Sequence, residues 1–139
     1  MSSTRPIGYW LKRADQLLTA HADRLQALHR ATRLEWQVLN LLYESGPSTA
    51  VQVAQTMQPF TDRAGLDTML ARFQDEGWAT RDAQARYHLT EVGREQHTRM
   101  HTTQQQLRTQ TLQGISEEQY ATTLRVLEQI VANLEATLE

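Results

Sequence analysis

Charged and hydroxyl side chains recur on one face of a helix predicted over Asp62–Glu76. With the apolar residues of this helix pointing inward, four polar side chains are left facing outward: Arg63, Asp67, Thr68 and Arg72. Arg63 can donate two hydrogen bonds to a guanine edge, worth ~1–3 kcal/mol of base discrimination. It can equally form an i, i+4 ion pair with Asp67, worth a few tenths of a kcal/mol. Thr68 and Arg72 suit phosphate contacts better than base contacts.

Two histidines also have a spacing that permits chemistry. His97 and His101 are four residues apart on a predicted helix, so both rings can face one point, as helical zinc ligands do. Glu35 or His29 would complete a site if their helices packed alongside. The alternative is that both histidines are solvated on a polar helix, and on this reading no metal is expected.

The composition excludes several classes of site. The 139 residues contain no cysteine, which removes disulfides, thiolate metal sites, cysteine nucleophiles and thiol redox sensing. The sequence contains no glycine-rich phosphate loop, serine elbow, HExxH motif or paired carboxylates suited to acid–base chemistry. We therefore expect neither an enzyme nor a bound cofactor.

The charge and hydropathy patterns bear on partners and location. The net charge is −2 and the 14 basic residues are all arginine except Lys12, so nucleic-acid binding would need local geometry rather than a basic field. No apolar run approaches the ~20 residues of a membrane span, and Met1–Pro6 lacks a secretory profile. These features predict a cytoplasmic protein without a membrane partner.

The apolar periodicity and the turn residues predict helix, tight hairpin and helix in that order, as in a winged helix-turn-helix. The predicted fold class is mainly α with a small β-hairpin wing. The predicted helices are Ile7–Leu28, Leu34–Tyr43, Ser48 (as N-cap) to Met57, Asp62–Glu76 after a Thr61 cap, Glu91–Gln113, and a last one opened by a Ser116/Gln119 capping box. The predicted strands are Trp78–Arg81 and Arg86–Thr90, joined by the loop 82–85.

The last helix carries an apolar stripe that requires a partner. The stripe repeats at spacings of four, three and four residues: Tyr120, Leu124, Leu127, Val131, Leu134 and Leu138. The first helix also has an apolar face. The rest of a single chain is too small to cover the apolar faces of both terminal helices. We therefore expect a two-fold dimer in which the first and last helices interlock.

Several segments together resemble the multiple antibiotic resistance regulator (MarR) family of bacterial transcription factors. They are IGYWLKRADQLL, LEWQVLNLL, LARFQDEGWATR, LTEVGRE and ISEEQYATTLRVLEQIVANL, in that order along nearly the whole chain. The resemblance implies a homodimeric, ligand-responsive repressor of a near-palindromic operator in double-stranded DNA. It implies a single intertwined domain with dimerisation helices at 1–31 and 95–139 and a winged helix-turn-helix at 32–94.

The resemblance also implies where the sites lie. The DNA-binding positions it implies are Thr61, Arg63, Ala64, Gly65, Asp67, Thr68 and Arg72 on the reading helix, with Arg81 and Arg86 on the wing. A crevice for a small aromatic effector is implied near Trp10, Arg13, Trp36 and Met100. The alternative for the tryptophans is packing in the core.

Two features depart from the family pattern. The wing loop is only four residues long, with Arg86 as the one candidate to replace the family's arginine run. The reading helix carries Asp62 and Asp67, which repel phosphates, and has Gly65 where the family often has a hydroxyl residue. An alternative function is therefore a family member that has lost DNA binding and works as a dimeric adaptor or small-molecule binding protein.

Overall fold

The computed structural model describes residues 4–139. Its helices are α1 (Ile7–Gln26, followed by a 3-10 turn at Ala27–His29), α2 (Arg33–Ser45), α3 (Ala50–Met57), α4 (Arg63–Asp75), α5 (Glu91–Thr111) and α6 (Glu117–Leu138). Its strands are β1 (Ser48–Thr49), β2 (Ala79–Arg81) and β3 (Arg86–Leu89). The predicted fold class, mainly helical with a small β wing, is confirmed. Among residues 4–139, every helix is too short or too polar to span a bilayer.

The wing contains one strand more than the sequence predicts. The sheet order is β1-β3-β2, with both neighbours antiparallel to β3. Ser48 pairs with Tyr87, so the residue predicted to cap α3 lies in a strand instead. A two-residue strand has no periodicity of its own, and it forms here because β3 offers a free edge.

Two helix N-caps lie one residue after their predicted positions. Thr49 caps α3 in a reciprocal capping box with Gln52, and Asp62 rather than Thr61 caps α4. The capping box of α6, formed by Ser116 and Gln119, is confirmed.

The core is built mainly from α2, α3 and α4. Its most buried members are Val38, Leu39, Val53, Leu66, Leu70, Phe73 and Met100. The nearly continuous apolar character of α2 is thus explained by its central position, since Trp36, Val38, Leu39 and Leu42 are all buried. The side of α4 that faces α2 and α3 belongs to this core, so the opposite side of the helix is exposed to solvent.

Gly93 allows α5 to start directly against the wing. A Cβ atom at this position would lie 2.0 Å from the carbonyl oxygen of Trp78. The Thr90 hydroxyl accepts a hydrogen bond from the Gly93 amide at 3.0 Å, and the Thr90 amide donates to the Trp78 carbonyl at 3.0 Å. The backbone of α5 at Gly93 can therefore pack directly against the backbone of the wing.

The described chain divides into two compact units, residues 4–105 and residues 106–139. In the first unit, the N-terminal part of α1 exposes large apolar side chains: Ile7, Tyr9, Trp10, Leu11 and Leu17. In the second unit, α6 has no buried residue and exposes Leu124, Val131, Leu134 and Leu138. The predicted division into dimerisation helices and a DNA-binding region concerns the assembly and stays a prediction.

Candidate nucleic-acid interface

The outward face of α4 is small and polar. Leu66, Leu70 and Phe73 are buried, which leaves the following side chains exposed in a stripe along the opposite side: Arg63, Ala64, Asp67, Thr68 and Ala71. The predicted orientation of Arg63, Asp67 and Thr68 is confirmed. Short side chains at 64, 68 and 71 let this side of the helix approach another surface closely.

The first turn of α4 is organised around Gly65. The Asp62 carboxylate accepts a hydrogen bond from the Gly65 amide at 2.7 Å, as an N-cap does. A Cβ atom on residue 65 would lie 2.5 Å from the Thr61 hydroxyl oxygen. Thr61 therefore occupies the space of a side chain at 65 and presents a hydroxyl group on this turn.

Arg63 is paired with Asp67. The Arg63 Nε donates to Asp67 Oδ1 at 2.9 Å, and the two side chains are 52% and 55% exposed. Of the two alternatives left open by the sequence, the structure shows the ion pair. Thr68 donates its hydroxyl proton to the Ala64 carbonyl at 3.0 Å, so its methyl group and oxygen lone pairs remain available.

The orientation predicted for Arg72, toward solvent or DNA, is wrong. Its guanidinium donates to the Glu35 carboxylate in α2 and to the main-chain carbonyl of Arg30, and it lies 5.3 Å from the Trp78 ring. The physical reason is that Glu35 is nearly buried, so its carboxylate requires a cation within reach. Arg72 connects α4 to the protein interior rather than to the outward stripe.

The wing loop is organised around one carboxylate, that of Asp82. Its Oδ2 accepts hydrogen bonds from Arg86 Nε at 2.9 Å and His88 Nε2 at 2.6 Å, while Oδ1 accepts from the amides of Gln84 and Arg86 at 2.9 Å each. These bonds, led by the one to His88, hold the pKa of Asp82 well below its usual value. The carboxylate thus stays ionised and bound to the Arg86 side chain.

The two wing arginines therefore differ. Arg86 is 47% exposed but already bound to Asp82. Arg81 is exposed on β2, and its guanidinium lies 6.0 Å from the Tyr87 ring. The structure makes Arg81 the less restrained cation of the wing, whereas the sequence had pointed to Arg86.

The residues predicted to line an effector crevice have different environments. Trp36 and Met100 are buried in the core, whereas Trp10 and Arg13 are exposed on α1. Trp36 stacks on His97 with ring centroids 5.0 Å apart, and Trp10 lies edge-on to Tyr9. For Trp36, packing is thus the observed role.

A cleft that the sequence did not reveal lies between α1, the start of α2 and the turn before α4. It has a volume of about 360 Å³ and is lined by Asp15, Thr19, Asp23, Thr32, Arg33, Leu34, Gln37, Pro59 and Phe60. Arg33 donates to Asp15 at 3.1 Å and to Thr19 at 2.8 Å across it. No spacing rule links these three segments, because they meet only through tertiary packing.

His97 is an aromatic core residue. Its ring stacks on Tyr43 at 3.8 Å between centroids, and its Nε2 lies 2.9 Å from the Asn40 side-chain oxygen. Burial lowers the pKa of His97, and the charge on His101 adds to this shift while Glu44 opposes it. Glu35 and His29, proposed to complete a metal site, instead contact Arg72 and Thr103. Residues 4–139 contain no group of three or more His, Cys, Asp or Glu placed to hold a metal ion.

Comparison with known proteins identifies the fold. No protein-family model matches the sequence, and no curated protein matches it. Among solved structures, a mutant MarR from E. coli complexed with operator DNA is similar, with a TM-score of 0.78, 20% identity, and 90% of this chain and 93% of that chain covered. The Mycobacterium tuberculosis MarR family protein Rv2887 is similar in its complex with DNA, at TM-score 0.76 and 21% identity, with 91% of this chain and 98% of that one covered. Its complex with p-aminosalicylic acid is similar at TM-score 0.73 and 22% identity, with 91% and 98% covered. The chain has the MarR fold, and the predicted resemblance is confirmed at that level.

Proposed function

We propose that this chain is a MarR-type transcription regulator, a homodimer that binds a near-palindromic operator and represses transcription until a small ligand releases it. The observation that carries the proposal is the outward face of α4, whose small and polar side chains stand clear of the core beside a β wing. Such a face enters the major groove while the wing contacts the flanking backbone. Proteins of the same fold that were crystallised with DNA support DNA binding as the function of this fold here.

The proposal of a homodimer rests on the terminal helices. Leu124, Val131 and Leu134 of α6 are 41%, 52% and 58% exposed, which is an unusual state for a regular apolar stripe. A second copy supplies the same apolar faces of α1 and α6, so each chain covers the other. A two-fold dimer then places its α4 helices about 34–36 Å apart, one turn of DNA.

Ligand response is proposed to act through the cleft beside Phe60. Its volume of about 360 Å³ and its Leu34, Pro59 and Phe60 lining suit a small aromatic compound. Phe60 is followed directly by Thr61 and the Asp62 cap of α4, so a ligand that moves Phe60 also biases the orientation of α4. The ligand must bind the released form more tightly than the DNA-bound form.

DNA binding is tested by fluorescence anisotropy with the chain's own upstream DNA and a random duplex, each at several salt concentrations. We expect tighter binding to the upstream DNA, with an affinity that falls steeply as salt rises. Arg63→Ala should reduce the preference, whereas Arg24→Ala, which changes an exposed arginine on α1, should retain it. Equal affinity for both duplexes contradicts the proposal.

The dimer is tested by sedimentation of the full chain. Val131→Glu places a charge on the apolar stripe of α6, and Gln129→Glu places the same charge on the exposed opposite side. We expect the first variant to sediment as a monomer and the second as a dimer. A wild-type monomer at micromolar concentration overturns the proposed assembly.

The cleft is tested by thermal unfolding with p-aminosalicylic acid as the probe. We expect the probe to raise the melting temperature of the wild type and of Leu28→Ala, but not of Phe60→Ala, since Leu28 lies outside the cleft. Equal shifts in all three proteins contradict this site.

A second function, as a dimeric adaptor or small-molecule binding protein without DNA affinity, is favoured by one set of contacts. Asp82 forms an ion pair with Arg86, and Glu35 forms one with Arg72. Both arginines are therefore less available to contact DNA phosphates. Under this alternative the chain dimerises and binds the probe, but binds upstream and random DNA equally.

A further inference from the structure

The pairing of Arg63 with Asp67 leaves most of the guanidinium available. A guanidinium carries five N–H groups, and the bond from Nε to Asp67 Oδ1 at 2.9 Å uses one of them. Within residues 4–139, no other group accepts a hydrogen bond from Arg63. The two terminal nitrogens therefore remain free to donate hydrogen bonds.

The pair contributes little to the stability of α4. Arg63 is the first residue of the helix, where the macrodipole is positive and disfavours a cation. The arginine precedes the aspartate by four residues, which is the less favourable order, and both side chains are more than half exposed. Helix stability therefore does not explain this pair. Its direct effect is on orientation, because the bond to Asp67 fixes the position of Arg63 Nε.

Guanine is the base that matches the free edge of Arg63. It presents two acceptors, O6 and N7, in the major groove, and two parallel N–H donors of an arginine satisfy both. Residues at the N-terminus of a groove-binding helix are the ones that reach base edges. Neighbouring small side chains, Ala64 and Thr68, leave room for close approach.

We propose that Asp67 is a positioning residue that holds the Arg63 guanidinium for bidentate recognition of a guanine in each half-site. A free arginine samples many rotamers, so fixing Nε beforehand reduces the entropy lost on binding. The Asp67 carboxylate also neutralises Arg63 toward phosphates, which favours the base edge over the backbone. This inference rests on the DNA-binding function proposed above and adds to it a base and a mechanism of selection.

The first test is selection of preferred sites from a randomised duplex pool by the full chain. We expect one guanine per half-site, with discrimination of roughly 5- to 150-fold over other bases. Arg63→Ala should lose the preference at that position alone. Asp67→Ala should weaken it at the same position, and Asp67→Glu, which keeps a carboxylate within reach of Arg63, should restore it.

The second test replaces the selected guanine by 7-deazaguanine, which lacks the N7 acceptor. The wild type should bind this duplex several-fold more weakly than the guanine duplex, whereas Arg63→Ala should bind both equally. Asp67→Ala should show a reduced difference. A wild type insensitive to the substitution overturns bidentate recognition.

A matched control separates positioning from charge. Asp75→Ala removes the same charge from an exposed position at the end of α4, and it should raise affinity for all duplexes without changing base preference. If Asp67→Ala behaves in the same way, Asp67 only repels phosphates and the inference is overturned. If the wild type binds one sequence tightly but shows no guanine preference, the inference fails while the regulator stands. If it binds no sequence better than random DNA, both fail.

Discussion

Arg72 in α4 donates a hydrogen bond to the carboxylate of Glu35 in α2, a residue 37 positions earlier in the chain. The second terminal nitrogen of Arg72 donates to the Arg30 carbonyl. The same Glu35 carboxylate also accepts from the Thr32 amide at 3.0 Å, which closes the capping box at the start of α2. This carboxylate therefore fixes α4 relative to the beginning of α2.

Arg72→Ala should lower the free energy of unfolding by roughly 1–3 kcal/mol, because it leaves the nearly buried Glu35 carboxylate without its cation. Urea denaturation measures the change. Arg24→Ala, an exposed arginine on α1, should stay within about 0.5 kcal/mol of the wild type. Equal stability of Arg72→Ala and the wild type would show that the Arg72–Glu35 pair does not stabilise the fold.

The same variant tests whether Arg72 contacts phosphate, as the sequence predicted. A lost phosphate contact reduces the slope of log K against log salt by ~0.9. We expect the slope for Arg72→Ala to equal that of the wild type, because its guanidinium is held by Glu35 and Arg30. A slope shallower by about one would show that Arg72 contacts a phosphate after all.

Gly93→Ala should destabilise the protein. A Cβ atom at 93 would lie 2.0 Å from the Trp78 carbonyl oxygen, so the backbone of the wing or of α5 must shift. The expected loss is about 1–3 kcal/mol, opposed by the ~1 kcal/mol gain in helix propensity of alanine over glycine.

The control for this change is Gly8→Ala, since a Cβ atom at Gly8 of α1 meets nothing within 4 Å. It should be neutral or stabilising by up to ~1 kcal/mol. Thermal or urea unfolding of the two variants compares them directly. If both alanines stabilise equally, the close approach at Gly93 is not a constraint.

Elements with a long local pattern could be predicted from the sequence, and short elements could not. The apolar stripe of α6 and the capping box at Ser116 are local features, so both are visible in the sequence. The strand β1 is not, because its two residues take their structure from β3.

For the site, local spacing predicted the outward direction of Arg63 and Asp67, since helix geometry alone sets it. The direction of Arg72 depends on Glu35, which only tertiary packing brings near. The cleft beside Phe60 could not be predicted for the same reason, as three separate segments form it.

Asp82→Ala should change the wing in two ways. The amides of Gln84 and Arg86 lose their common acceptor, so their hydrogen exchange should accelerate. The Arg86 guanidinium loses its carboxylate partner and becomes available to phosphate. In DNA titrations, the slope of log K against log salt should therefore steepen by ~0.9 per chain.

The double variant Asp82→Ala with Arg86→Ala is the control for the second effect. It should keep the fast amide exchange of Gln84 but return the salt slope to its wild-type value. A steeper slope that survives loss of Arg86 would mean that the gain comes from general charge rather than from the freed guanidinium.

His97 should make stability depend on pH below about 6.5. Burial lowers the pKa of folded His97 beneath its unfolded value of 6.5, so the unfolded chain takes up the proton first as pH falls. Stability attributable to His97 is therefore unchanged above pH 6.5 and declines between 6.5 and the lowered pKa.

Urea unfolding at pH 7.5 and pH 5 should show a smaller pH-dependent loss for His97→Gln than for the wild type. His21→Gln, which changes an exposed histidine of α1, should keep the wild-type loss, and an equal loss in all three proteins would exclude His97 as its source.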